Sequence, residues 1–148
     1  MDNEMVIRFK SLSQNEGFAR VVVGAFAAQL NPTLEELSDI KMAVSEAVTN
    51  CIIHGYGNDP GGVVEIRAGL SGQELQLSIS DEGRGIADVA QAREPFYTTC
   101  PELDRSGMGF TVMETFMDHM DVISAPGEGT TVRMSKRVAC EMRRDAQC

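Results

Sequence analysis

Glu46, Asn50 and His54 stand at i, i+4 and i+8 of one segment of apolar helical periodicity. That is a rotation of about 40° over eight residues, so the three form one polar stripe, opposite the side carrying Val44, Val48 and Ile52. A solvated helix face has the same pattern, and the spacing alone does not separate the two readings. Asp81 continues the parity of Leu75, Leu77 and Ile79, so the strand pleat turns its carboxylate toward the apolar side. A carboxylate there needs a partner, and an exocyclic amine such as adenine N6 would supply one. The alternative is that Asp81 simply ends its strand at a glycine-rich turn. Gly83 and Gly85 allow a flat ring to lie close to the backbone. In Arg105-Ser106-Gly107-Met108-Gly109-Phe110, small residues open a helix whose exposed N–H groups favour anions, with Arg105 adjacent to meet a phosphate. A plain helix start explains the same glycines. The hydroxyls of Gly129-Thr130-Thr131 suit either a ligand or a β-strand.

Several elements must position these groups. Residues 4–10 read as an edge strand, and Ser13 with Glu16 has capping-box spacing for a helix running to about Leu30. Asn31-Pro32-Thr33 breaks that helix, and Thr33 with Glu36 opens a second one ending near Gly55-Tyr56-Gly57. Residues 63–70 and 74–81 alternate as a hairpin joined at Ser71-Gly72. Residues 87–93 suit a short helix and 94–106 a functional loop. Gly107-Met108-Gly109 starts a helix to about Met117, and 120–125 with 130–136 form a last hairpin around Pro126-Gly127-Glu128-Gly129. His119 is expected at a helix end and Cys51 as a small buried hydrophobe. Long helices on one face of a mostly antiparallel sheet make an α+β two-layer sandwich.

Composition narrows the function. The chain has 148 residues, the length of a single domain, with 43% hydrophobic and 24% charged residues. Its net charge of −9 disfavours binding to a phosphate backbone, so no direct nucleic-acid contact is expected. Cations cluster at the C-terminal end, in Arg133, Lys136, Arg137, Arg143 and Arg144. The four cysteines (Cys51, Cys100, Cys140 and Cys148) form no C-x-x-C pair, and no export signal or membrane span is apparent, so reduced thiols in the cytoplasm are expected. The sequence contains no P-loop, no H-R-D or D-F-G kinase signature, no G-x-S-x-G elbow and no H-E-x-x-H motif. Two histidines exclude an imidazole metal cluster.

Taken in order, Glu46-Ala47-Val48-Thr49-Asn50 with His54-Gly55, Asp81-Glu82-Gly83-Arg84-Gly85-Ile86, Arg105 to Phe110, and Gly129-Thr130-Thr131 resemble the N, G1, G2 and G3 boxes of the GHKL (Bergerat-fold) ATPases. Around them, Leu12-Ser13-Gln14-Asn15-Glu16, Ile53-His54-Gly55-Tyr56 and Pro101-Glu102-Leu103-Asp104 look like the small anti-sigma serine kinases of that family. The resemblance spans about residues 1–136, which would form one domain followed by a disordered basic tail, 137–148. It implies a two-layer Bergerat sandwich and a homodimer that binds ATP or ADP with Mg2+. It further implies sequestration of a sporulation sigma factor of the sigma F type and phosphorylation of a serine on an anti-anti-sigma partner. Asn50 would ligate magnesium, and Glu46 would be the base that orients or deprotonates the attacking hydroxyl. Asp81 would accept from adenine N6, with Gly83 and Gly85 lining the base pocket. Backbone at Gly107, Met108 and Gly109 would hold phosphates, Arg105 would face the γ-phosphate, and 94–106 would be the ATP lid. His54, Gly55, Ile86, Ser106, Phe110 and Thr130 fall in the same nucleotide boxes.

These parts suffice for phosphoryl transfer, which needs positioning and charge neutralisation more than covalent chemistry. No phosphoacceptor-histidine helix precedes the boxes, so the acceptor would be on another molecule. The chain departs from the family pattern at Arg84, where a small or apolar residue is expected, and at Cys51 and Cys100, where Ala and Lys are expected. Two other readings share the same boxes: a nucleotide-gated sequestering protein without turnover, and an anti-sigma kinase of the general stress response. Arg20, a cation on the first helix, is a candidate partner contact.

Overall fold

A computed structural model describes residues 1–94 and 109–139 of the chain. The elements in order are β1 (Asn3–Lys10), α1 (Gln14–Ala27), a 3-10 turn (Ala28–Leu30), α2 (Leu34–Asn50), a π turn (Cys51–Gly55), β2 (Val63–Ser71), β3 (Glu74–Asp81), α3 (Val89–Ala92), α4 (Gly109–Phe116), β4 (His119–Ser124) and β5 (Thr130–Arg137). The five strands form one antiparallel sheet in the order β1-β2-β3-β5-β4. Helices lie on one face of it, the expected α+β arrangement.

The reason is the alternation in the strands. Ile66 of β2 with Leu75, Ile79 and Asp81 of β3 turn inward, and Ile40, Val44 and Val48 of α2 meet them, the three α2 side chains fully buried. Each such aliphatic side chain contributes about 1.5–3 kcal/mol on leaving water. The outer face is polar, with Glu65 held 2.7 Å from both Arg8 and Arg67.

The two helix starts differ although their spacing is the same. Thr33 has extended backbone angles, its Oγ1 accepts the Glu36 N–H at 3.1 Å, and Glu36 Oε1 accepts the Thr33 N–H at 2.9 Å. Ser13, expected to cap in the same way, has helical angles (φ −58°, ψ −33°) and makes no capping bond. A hydroxyl on helical backbone does not reach back over the first turn. Glu16 instead meets Arg20 at 3.4 Å, so that cation is part of a local i, i+4 pair.

His119 opens β4 rather than ending a helix, because α4 stops at Phe116. Order continues past 136: Arg137 ends β5, Val138 is fully buried with its N–H on the Gln73 carbonyl at 2.7 Å, and the Ala139 N–H reaches Glu36 Oε2 at 2.9 Å. The rest of the expected tail, 140–148, lies outside the described residues, as does the expected lid apart from Glu94. Among the described residues no helix is long and apolar enough to cross a membrane.

Candidate functional site

After Asn50 the backbone of α2 widens into the π turn, where the Tyr56 N–H bonds the Cys51 carbonyl at 3.0 Å. Such turns arise where tertiary contacts override the regular ladder. This one brings Gly55 against the end of β3. The Arg84 N–H bonds the Gly55 carbonyl at 3.0 Å, and a Cβ on Gly83 would collide with that carbonyl. A Cβ on Gly55 would stand 2.7 Å from Asp81 Cγ. Both glycines are therefore required for the two segments to touch.

Asp81 is 7% exposed. Burial pushes its carboxyl above the ordinary value, partly offset by the Gly83 N–H, the Cys51 thiol and the Thr130 N–H. The Gly83 bond measures 2.9 Å, to Oδ1. Cys51 is buried as expected, 3% exposed, and it stands in the same cavity wall as Asp81. Burial and the neighbouring charge push the thiol well above its usual range, so it remains an S–H donor.

Asp81 and Cys51 lie in the wall of a cavity of about 230 Å³. That is less than the about 300–1,000 Å³ of pockets enclosing a whole drug-sized ligand, a size suited to one ring system with the remainder projecting out. Asn50, His54, Gly55 and Gly85 share the wall. Ile86, Gly109, Phe110 and Thr130 complete the set of expected residues found there. Gly83 stands behind Asp81. Glu46 lies at the α4 edge, where a Cβ on Gly109 would be 3.3 Å from Glu46 Oε2 and 3.2 Å from either polar atom of the Asn50 amide. Two residues of the stripe, Glu46 and Asn50, thus face the first turn of α4, and all three of its residues are half-buried. Arg105, Ser106, Gly107 and Met108 lie outside the described residues.

Asn50 Nδ2 is the buried polar side-chain atom left without a partner among the described residues. The unpartnered atom is the amide's donor, so what it lacks is an acceptor, while the amide oxygen is the atom that could meet a cation. No group of three or more His, Cys, Asp or Glu side chains able to hold a metal occurs among the described residues. A Mg2+ ion that keeps its waters and binds through phosphate oxygens needs no such cage, and one amide oxygen suits it.

Four residues the sequence reading passed over, or gave no such role, support this geometry. Besides Cys51, Tyr56 donates its hydroxyl to the Val63 carbonyl at 2.6 Å and accepts the Glu82 N–H at 2.7 Å, tying the loop after β3 to the start of β2. Arg84 Nε donates to the His54 carbonyl at 2.6 Å. Ser124 Oγ accepts the Ile86 N–H at 2.7 Å, donates to the Gly129 carbonyl at 2.9 Å and lies 2.8 Å from Thr130 Oγ1. Thr131 turns to the outer face, 3.1 Å from Ser80 Oγ, so its hydroxyl belongs to the sheet. A cysteine at a position expected to be alanine was the available signal for Cys51.

Residues 10–136 match the family described as HATPase_c_2, histidine kinase-like ATPase domain. A protein of Anoxybacillus flavithermus named anti-sigma F factor is 59% identical over 138 residues, covering 93% of this chain and 94% of that one. Another so named, from Thermoanaerobacter sp., is 57% identical over 139 residues, covering 94% and 96%. Among solved structures, the RsbU and RsbW domains of Rv1364c from Mycobacterium tuberculosis superpose with a TM-score of 0.67 at 21% identity, over 92% of this chain and 32% of that one. The catalytic domain of histidine kinase ThkA gives 0.58 at 13% identity, over 90% and 96%. At those identities the likeness is one of fold, which is that of the nucleotide-binding GHKL domains. The family match over most of the chain and the full-length relatives establish that this chain belongs to the histidine kinase-like (GHKL) ATPases.

Proposed function

We propose that the chain is an anti-sigma factor that binds a sporulation sigma factor of the sigma F type and transfers the γ-phosphoryl group of ATP to a serine of an anti-anti-sigma partner. The observation that carries the kinase reading is the meeting of Glu46 and Asn50 beneath Gly109 at the start of α4. Binding a nucleotide needs no base, whereas transfer to a hydroxyl does. The sigma-factor reading is supported by the shared name of relatives 57–59% identical over nearly the whole chain.

Asp81 accepts from the amino group of adenine, whose ring lies against Gly85, while Gly83 lets the end of β3 meet Gly55. The Asn50 amide oxygen holds Mg2+, which supplies charge neutralisation to the phosphates when bound. Glu46 orients the partner's serine hydroxyl and takes its proton as the oxygen attacks the γ-phosphorus and the bond to the bridging oxygen breaks, releasing ADP. Arg105, Ser106 and the N–H groups of Gly107, Met108 and Gly109 face the phosphates. The chain works as a homodimer in the cytoplasm, its GHKL domain followed by a basic tail.

The test is incubation of the purified chain with Mg2+ and γ-labelled ATP, with and without an anti-anti-sigma protein. Label is expected on a partner serine, and is lost in Glu46→Ala and Asn50→Ala. Nucleotide binding without transfer by the wild type would replace this reading with a sequestering protein gated by nucleotide.

A further inference from the structure

We infer that Arg84 is a base-binding residue of this chain: its guanidinium lies over the outer face of the purine at the mouth of the cavity and holds the ring by a cation–π contact. The inference rests on the nucleotide reading above. Arg84 stands where a small or apolar residue is expected, and it is the one lysine or arginine among the described residues that line the cavity. Its backbone is clamped from both sides, with the N–H on the Gly55 carbonyl at 3.0 Å and the carbonyl accepting the Gly127 N–H at 2.8 Å. Its side chain is held as well, by the 2.6 Å bond from Nε to the His54 carbonyl.

These anchors decide which part of a nucleotide the guanidinium meets. On the proposed reading the phosphates lie where Glu46 and Asn50 face Gly109. His54 follows Asn50 by one turn and Glu46 by two, and Gly55 lies against Asp81, so Arg84 is anchored at the base end. There Asp81 is 7% exposed and forms the depth of the cavity, whereas Arg84 is exposed and forms its rim. A cavity of about 230 Å³ takes one ring system, and a ring whose amino edge meets Asp81 extends from there to the rim. A guanidinium is planar and weakly hydrated, and it stacks on aromatic rings. The contact uses the flat face of the group, whatever its remaining N–H groups bond. Because the bond to His54 fixes the side chain before the ring arrives, little rotamer freedom is lost on binding.

Equilibrium binding of ADP and ATP with Mg2+ to the full chain, Arg84→Leu and Arg84→Gln tests this at about 0.1 M and about 1 M salt, with thermal unfolding of each as a check of folding. Arg84→Leu is expected to weaken both nucleotides by the same factor, about fivefold, at either salt concentration. Arg84→Gln, whose amide can still donate to the His54 carbonyl, is expected to lose as much with an unchanged melting temperature. Wild-type affinity in Arg84→Gln means that the side chain only caps the turn, which overturns the inference and leaves the nucleotide reading standing. A loss that grows from ADP to ATP, or disappears at high salt, places the cation on a phosphate and overturns it equally. In the wild type itself, the Arg84 Hε and Cδ proton resonances are expected to move upfield on ADP binding, through the ring current of a base stacked on them. Unmoved resonances overturn the inference without any variant. A wild-type chain that binds neither nucleotide overturns the nucleotide reading and the inference with it.

Discussion

The two ends of α2 treat a carboxyl group in opposite ways. At the first turn, burial acts to raise the Glu36 carboxyl, but the N–H groups of Ala139 and Thr33, the Thr33 hydroxyl and Lys136 outweigh it and hold the value below the usual range. At the far end, burial of Asp81 outweighs its three donors and holds it above. Glu36 is saturated by the protein and serves the fold. Asp81, whose burial is only partly offset, is the one of the two that lines the cavity. The difference shows that the same chemistry becomes structure or site according to which side of that balance it falls.

The comparison breaks most visibly at the chemical step. Glu46→Ala is expected to slow phosphoryl transfer by about 10²–10⁴-fold, the usual worth of a general base, with an unchanged melting temperature. A transfer rate within a few-fold of wild type, measured with labelled ATP and partner, removes Glu46 from its role. Next, Asp81→Asn is expected to weaken ATP binding by at least about tenfold, because the amide presents a donor where an acceptor is needed. Calorimetric titration checks it. At the other end of the helix, Thr33→Ala is expected to cost about 1 kcal/mol in urea unfolding, with ATP affinity intact. Loss of affinity there would mean that the two ends are coupled through the helix.

The smallest effect has the sharpest sign. Between the ordinary aspartate value of 3.8 and its raised folded value, Asp81 binds its proton more readily in the folded chain, so its contribution to stability rises as pH falls through that window. The cost of burying its charge is fully present above the window. Glu36 runs the other way: its stabilisation is fully present above 4.5 and is lost as pH falls through its lowered folded value. Unfolding free energies of wild type, Asp81→Asn and Glu36→Gln across this range should give difference slopes of opposite sign.

How legible these features were depends on how local their causes are. Thr33 and Glu36 cap α2 with atoms three residues apart, and Leu75, Leu77, Ile79 and Asp81 share a face by strand parity, so both could be read from neighbours in sequence. Ser13 and Glu16 carry the capping spacing without the backbone angles, which are set by how the chain leaves β1, where the Asn15 amide donates to the Lys10 carbonyl at 2.9 Å. The π turn has no residue signature, since it is imposed by contact with β3 and the loop after it. The place of Cys51 in the cavity wall beside Asp81 was not legible, because the two stand thirty positions apart in the chain. The G2 segment from Arg105 to Met108 was read from sequence and lies outside the described residues.

The strand order has a consequence for how the protein is made. β5 is the last strand in sequence, yet it lies between β3 and β4, pairing Thr130 with Asp81. During synthesis β1, β2 and β3 can form their meander early, but the third donor to the carboxylate arrives only when β5 inserts beside β3. On the proposed role of Asp81, base recognition matures last, and a nascent or truncated chain lacking β5 is expected to bind nucleotide poorly however well its first half has folded.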